Sequence, residues 1–194
     1  MLRSLIMVGI VVVVLVVAVV VFAATRPKEF RVERTAQINA STDVVFPLIN
    51  DFHQWERWSP YYKRDPKMQK TYDGPAAGAG ASFSWSGNAM AGAGRTTILD
   101  SKAGEFVSMK LEMSKPFACN NHVTFTLAPS GEGTKVSWMM EGKTAFFARA
   151  LSIVMSMDKM IGADFEDGLA NLDAAAQADA KRLKQAGLAA PASA

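Results

Sequence analysis

Few side chains in this sequence are placed to do chemistry. It contains two histidines, His53 and His122, and one cysteine, Cys119. His53 lies close to Asp51 and Glu56, so a carboxylate-oriented imidazole could serve there as a general base. A surface or capping histidine beside a turn fits the same spacing. Asp158 falls within an apolar helical stripe, one turn after Val154 and one before Ile161. A carboxylate at such a place has to be paired, hydrogen-bonded, protonated or open to a cavity. Lys159 points elsewhere on the helix, so Arg95 or another sheet residue is the expected partner if Asp158 is structural. The functional alternative makes Asp158 a polar anchor for a ligand head group. Tyr62 and Tyr72 complete the acid/base candidates.

Most reaction classes find no support. There are no paired carboxylates at a clear spacing, no Ser/His/Asp order and no nucleotide fingerprint. No CxxC or HxxxH spacing occurs, so no metal site is expected, and no cofactor is implied. A single cysteine precludes an internal disulfide. Gly92-Ala93-Gly94 lacks the lysine and the strand-to-helix context of a phosphate loop and reads as bulge or turn glycines. The net charge is +3 in 194 residues, and no Lys/Arg cluster is interleaved with aromatics. Nucleic acid is therefore not an expected partner.

The elements that must position these groups follow from periodicity. Phe147, Leu151, Val154, Ile161, Phe165, Leu169 and Leu172 fall on one helical stripe, about six turns long. Gly162 and Gly168 on that helix cost about 1 kcal/mol each relative to alanine, so a close approach is expected at both. A long amphipathic helix needs a surface to cover, and the preceding chain supplies one. Phe30, Val32, Ala36 and Ile38 alternate with polar residues in a first strand, with Arg34 breaking its apolar side. Ser41 or Thr42 can cap a short helix containing Pro47. Trp55 and Trp58, three apart, are neighbours on one turn. They read either as a rim over a cavity or as core. Alternating segments follow at 68–72, 81–86, 95–99, 106–113, 123–127 and 135–141. Glycine turns join most of them, as in antiparallel meanders.

Leu5 to Ala24 is an uncharged run that as a helix reaches about 30 Å, the thickness of a bilayer core. It exceeds the roughly 7–15 residues of a signal-peptide core, which favours an anchor over a cleaved leader. Arg26, Lys28, Arg31 and Arg34 follow it; the positive-inside rule leans towards a cytoplasmic domain.

The stretches Phe30-Arg31-Val32-Glu33-Arg34-Thr35, 41–52 and Trp55-Glu56-Arg57-Trp58-Ser59-Pro60 resemble the SRPBCC superfamily, in its membrane-anchored, START-like, polyketide cyclase/dehydrase-type branch. Further matches are Thr71-Tyr72-Asp73-Gly74, Trp85-Ser86-Gly87-Asn88, Lys115-Pro116-Phe117 and residues 157–162, so the resemblance spans about residues 28–175. Ala93 departs from it, since relatives commonly carry an acidic residue there. The resemblance implies an α+β helix-grip fold: about seven antiparallel strands curved around a long C-terminal helix, with a hydrophobic cavity between them. The expected organisation is an anchor over 1–27, preceding a helix-grip domain over 28–184 and a tail over 185–194. Expected cavity residues are Trp55, Trp58, Phe83, Trp85, Met109, Met113, Phe125, Trp138, Met155 and Asp158.

Three functions are in play. The leading one is a non-catalytic binding or carrier domain for a hydrophobic small molecule or lipid, tethered through residues 5–24 to a membrane, a bacterial inner membrane by expectation. The second is a cyclase/dehydrase-like enzyme with an acid/base residue in the cavity. The third is a protein-interaction module resembling chaperone activators, for which the sequence names no partner.

Overall fold

The computed structural model describes residues 2–144 and 157–187, without the side chains of residues 2–5, Val8 and Met157. Helix α1 is Leu2–Thr25 and strand β1 is Glu29–Ile38. Helix α2 (Thr42–Asn50) and two 3-10 turns, Phe52–Arg57 and Pro60–Arg64, come next. Six strands follow: β2 (Gln69–Asp73), β3 (Ser82–Ser86), β4 (Ala93–Lys102), β5 (Phe106–Lys115), β6 (Cys119–Ser130) and β7 (Gly133–Lys143). Helix α3 (Met157–Gln185) closes the described chain. Phe147, Leu151, Val154 and Met155, four of the residues on which sequence expectations rest, lie outside the described residues.

The seven strands form one antiparallel curved sheet in the order β1-β7-β6-β5-β4-β3-β2. The helix-grip expectation for the domain is met. On β1 the side chains alternate, with Val32 and Ile38 buried and Arg31, Glu33 and Gln37 exposed, as a strand with one wet face requires. Residue Ser41 takes the N-cap place of α2, and its backbone carbonyl accepts from the amides of Val44 and Val45. Its hydroxyl makes no cap bond. Pro47 sits inside the nine-residue helix, which ends a turn later because a proline removes one internal bond.

Helix α3 lies on the concave face over β1, held by two ladders of contact. Phe165, Leu169 and Leu172 are fully or nearly fully buried, confirming that part of the stripe. Gly168 meets the Trp138 ring, whose Cζ3 would stand 2.6 Å from any Cβ added there. At Gly162 the approaching group is the Arg34 guanidinium. The rigid Trp138 ring makes glycine a requirement at 168, whereas at 162 the flexible Arg34 head would have to move aside. Helix α1 is an uncharged run after Arg3. Over the residues whose side chains are described, no helix is long and apolar enough to cross a membrane.

Candidate functional site

Cross-strand register sorts the concave face into rows. One row is Val32, Met140, Val123, Met109 and Ile98, each between 0% and 6% exposed. A second holds Arg34, Trp138, Phe125 and Val107. Here the aromatics close on one another. Phe125 and Trp138 have ring centroids 4.8 Å apart, Trp58 stands 5.9 and 5.7 Å from them, and Phe165 stacks on Trp138 at 4.1 Å. Trp55 and Phe52 extend the cluster at 5.0 and 5.1 Å steps. The indole N–H groups of Trp55 and Trp58 donate to the carbonyls of Ile49 and Leu48, which removes the cost of burying them. These two tryptophans thus pack as core under α2, and no rim forms from them.

Toward the end where β1 begins, the face opens. The next row is Phe30, Gly142, Asn121 and Leu111, all half-buried. Beyond it stand Cys119, Met113, Gly94 and Trp85, again half-buried. The described part of α3 lies over the inner rows. Gly162 contacts Arg34, and Asp173 accepts from the amide of Asn39. The eleven helical steps and the five strand steps between these pairs both measure about 16 Å, so helix and strand run in step. Met157, the first described residue of α3, then sits near the level of Val32. Ile161, in the helix's second turn, is half-buried.

One polar atom lies in this mouth with its bonding unfilled. Asn121 Oδ1 is inaccessible to solvent and has no hydrogen-bond partner among the described residues, while its Nδ2 donates weakly to Cys119 Sγ at 3.7 Å. In the period-two alternation of Val123, Phe125 and Leu127, Asn121 falls on the apolar side of β6. A Cβ at residue 142 would overlap Oδ1, so glycine at that position is what lets the amide lie across the sheet.

The acid/base candidates are dispersed. Asp158 is exposed, and Arg34 grips it through Nη1 to Oδ1 at 3.0 Å and Nη2 to Oδ2 at 3.1 Å. Arg34 Nε also donates to Glu166 Oε1 at 2.6 Å. Hydrogen bonds from Arg34 hold the Asp158 carboxyl below its ordinary range, and Asp158 and Glu166 push the guanidinium up. The expected partner Arg95 instead pairs with Asp73 and donates to Ser82 Oγ at 2.6 Å; it stands on β4, four strands from β1. His53 is half-exposed, bonded to Asp51 Oδ1 at 2.9 Å and stacked on Tyr72 at 4.1 Å. That is the bland reading of a histidine beside a turn. His122 reaches Ser108 Oγ at 3.2 Å from the polar side of β6. Tyr62 is buried, stacked on Phe83, with its hydroxyl 3.4 Å from that of Tyr72. Burial pushes its phenol up, so it stays protonated and can only offer or accept a hydrogen bond.

Two open grooves of about 430 and 400 Å³ flank α3. The first is lined by Pro60, Lys63, Arg64, Asp164, Asp167, Ala170 and Asn171, the second chiefly by residues 34–37 and Glu166 to Asp173. Several of their charged groups are paired, as in Arg64–Asp164 and Arg34–Glu166. Small-molecule sites are usually lined by apolar residues with few polar groups, and the residues of the mouth are more apolar than the lining of either groove. Among the described residues no cluster of His, Cys, Asp and Glu is placed to hold a metal.

A sequence model of the family described as "Polyketide cyclase / dehydrase and lipid transport" matches residues 29–177. No curated protein matches the chain. Several solved structures share its fold. Protein MLL2253 from Mesorhizobium loti is 17% identical, with a TM-score of 0.56 over 75% of this chain and 96% of that one. Protein CV1439 from Chromobacterium violaceum is 17% identical, with a TM-score of 0.53 over 77% and 96%. Major latex-like protein 151 from Panax ginseng is 12% identical, with a TM-score of 0.52 over 76% and 97%.

Proposed function

The chain belongs to the polyketide cyclase/dehydrase and lipid-transport family, and from that premise we propose that it is a membrane-tethered carrier for a hydrophobic small molecule or lipid and catalyses no reaction. The supporting observation is the half-buried apolar mouth of Phe30, Leu111, Met113, Trp85 and Ile161, beside a core already filled by its own aromatics. The ligand's apolar body lies against Leu111, Met113 and Trp85. Trp58, Phe125, Trp138, Phe83 and Met109 form the floor beneath it, and Trp55 supports that floor. Asp158, bound to Arg34, fixes the start of α3 at the side of the mouth; this replaces its assignment as the head-group anchor. Residues 5–24 hold the domain at a bilayer.

The absence of catalysis rests on dispersal: His53, the Tyr62–Tyr72 pair and Asp158 occupy separate places, and the titratable groups among the described residues do not converge on the mouth. The test is titration with a fluorescent apolar probe such as cis-parinaric acid. Leu111→Trp, which fills the mouth, should weaken probe binding at least about tenfold, equal to 1.4 kcal/mol. Unchanged affinity in a folded Leu111→Trp protein would place any binding elsewhere.

A further inference from the structure

The register places three kinds of feature on one edge of the sheet. Glu29 pairs with Lys143, Met113 with Cys119, Ala93 with Lys115 and with Ser86, and Ser86 with Gln69. This is the edge where β1 begins and where the mouth opens. Helix α1 ends at Thr25, four residues before Glu29. At about 3.3–3.6 Å per residue, the end of α1 lies within about 14 Å of that edge. Ala23 is fully buried, so the end of α1 is packed.

The same edge carries large exposed apolar side chains. Met90, in the β3–β4 connection, is 75% exposed; Phe117, in the β5–β6 connection, is 67%; Met160, in the first turn of α3, is 48%. It also carries Arg26, Lys28, Lys67, Lys115 and Lys143, all exposed, against Glu29 and Asp65. The opposite edge is more evenly charged. Around its strand ends stand Asp43, Asp73, Asp100, Glu105 and Glu132 against Lys102 and Lys135, and the C-terminal end of α3 adds Asp179, Lys181, Arg182 and Lys184; its exposed large apolar residues are Leu99, at 50%, and Leu183, at 36%.

We propose that the basic, apolar-tipped edge lies against an anionic bilayer surface, so that the mouth opens onto the lipid and exchanges its ligand there without crossing bulk water. The inference rests on the tether proposed above. Apolar tips that enter the headgroup region, ringed by lysines that stay in the phosphate layer, are the chemistry of interfacial binding. Cations held within a Debye length of about 10 Å add attraction to acidic lipids. A docking protein of acidic surface would satisfy the lysines too, but α1 brings a bilayer to this edge by chain connectivity.

The full chain is reconstituted in phosphatidylcholine vesicles with and without phosphatidylglycerol, in a Cys119→Ser background. A bimane probe is placed by Met90→Cys or, on the opposite edge, by Leu99→Cys; both positions are exposed, so both variants fold. Quenching by spin-labelled lipid reports depth. The proposal expects several-fold stronger quenching at residue 90 than at residue 99, and less at residue 90 when phosphatidylglycerol is omitted. Equal quenching at the two positions, or none at residue 90, with the chain still retained after a carbonate wash, overturns the docking and leaves the tether standing. Loss of the chain in that wash overturns both.

Discussion

The inner and outer rows of the concave face are built from the same kinds of residue and differ in what stands opposite them. In the inner rows Phe125, Trp138, Met109 and Val123 meet Trp58 and Phe165 and are almost wholly buried. In the outer rows Phe30, Leu111, Met113 and Trp85 keep part of their surface open, two and four residues along the strands from the level of Val32. The difference teaches that one face of a helix-grip sheet can be core in some rows and open in others, according to what packs over each row. Arg34 stands one row inside the border, which falls between Val32 and Phe30. It is the polar break in the apolar side of β1, and it fastens Asp158 and Glu166 of α3 at that level.

The largest expected effect probes the inner rows. Trp138→Ala should destabilise the domain by about 3–5 kcal/mol, read as a lowered urea midpoint. A near-neutral result would mean that the ring lines empty space and that the two regions do not differ. Next, Gly168→Ala forces a methyl against the Trp138 ring and should cost about 1–3 kcal/mol by overpacking. An unchanged midpoint would show that α3 can shift off β7. In the outer rows the order reverses: Leu111→Ala should cost only about 1–2 kcal/mol, below the range for fully buried leucines, yet weaken probe binding. Stability loss equal to that of Trp138→Ala would move Leu111 into the core.

The smallest effect concerns the Arg34–Asp158 pair. The Asp158 carboxyl is depressed by its hydrogen bonds to Arg34. A depressed carboxylate stabilises the fold above the ordinary carboxylate range, and that contribution is lost as pH falls through the lowered value. The urea midpoint of the unaltered protein should therefore drop between neutral and strongly acid pH by slightly more than that of Asp158→Asn. Identical pH profiles would remove the ion pair from the account. The pair is exposed, so its effect at neutral pH is small.

Much of this architecture was legible in the sequence. Period-two alternation, glycine turns and the Ile161–Phe165–Leu169–Leu172 stripe locate the strands and the helix, because each is a local pattern. The anomalies were legible too: Arg34 on an apolar side, Asp158 in a stripe, Asn121 facing inward, and glycines at 162 and 168. Their partners were not. Arg34 and Asp158 are 124 residues apart, and which sheet cation meets α3 depends on how helix and strand run in step. Alternation assigns a face but not a row. Phe83, Met109, Phe125 and Trp138 therefore looked the same as Trp85 and Met113. What separates floor from mouth is the covering by Trp58 and Phe165 and by the 3-10 turns over Phe83.

The proposed carrier function requires that the mouth hold one apolar molecule. Native mass spectrometry of the full chain, purified with its lipids and compared with Leu111→Trp, tests it most directly. The account predicts a discrete added mass of one lipid or isoprenoid-sized compound on the unaltered protein, absent from the filled variant. An empty unaltered protein that also stays empty with a panel of apolar compounds, or an adduct that survives in Leu111→Trp, would contradict it.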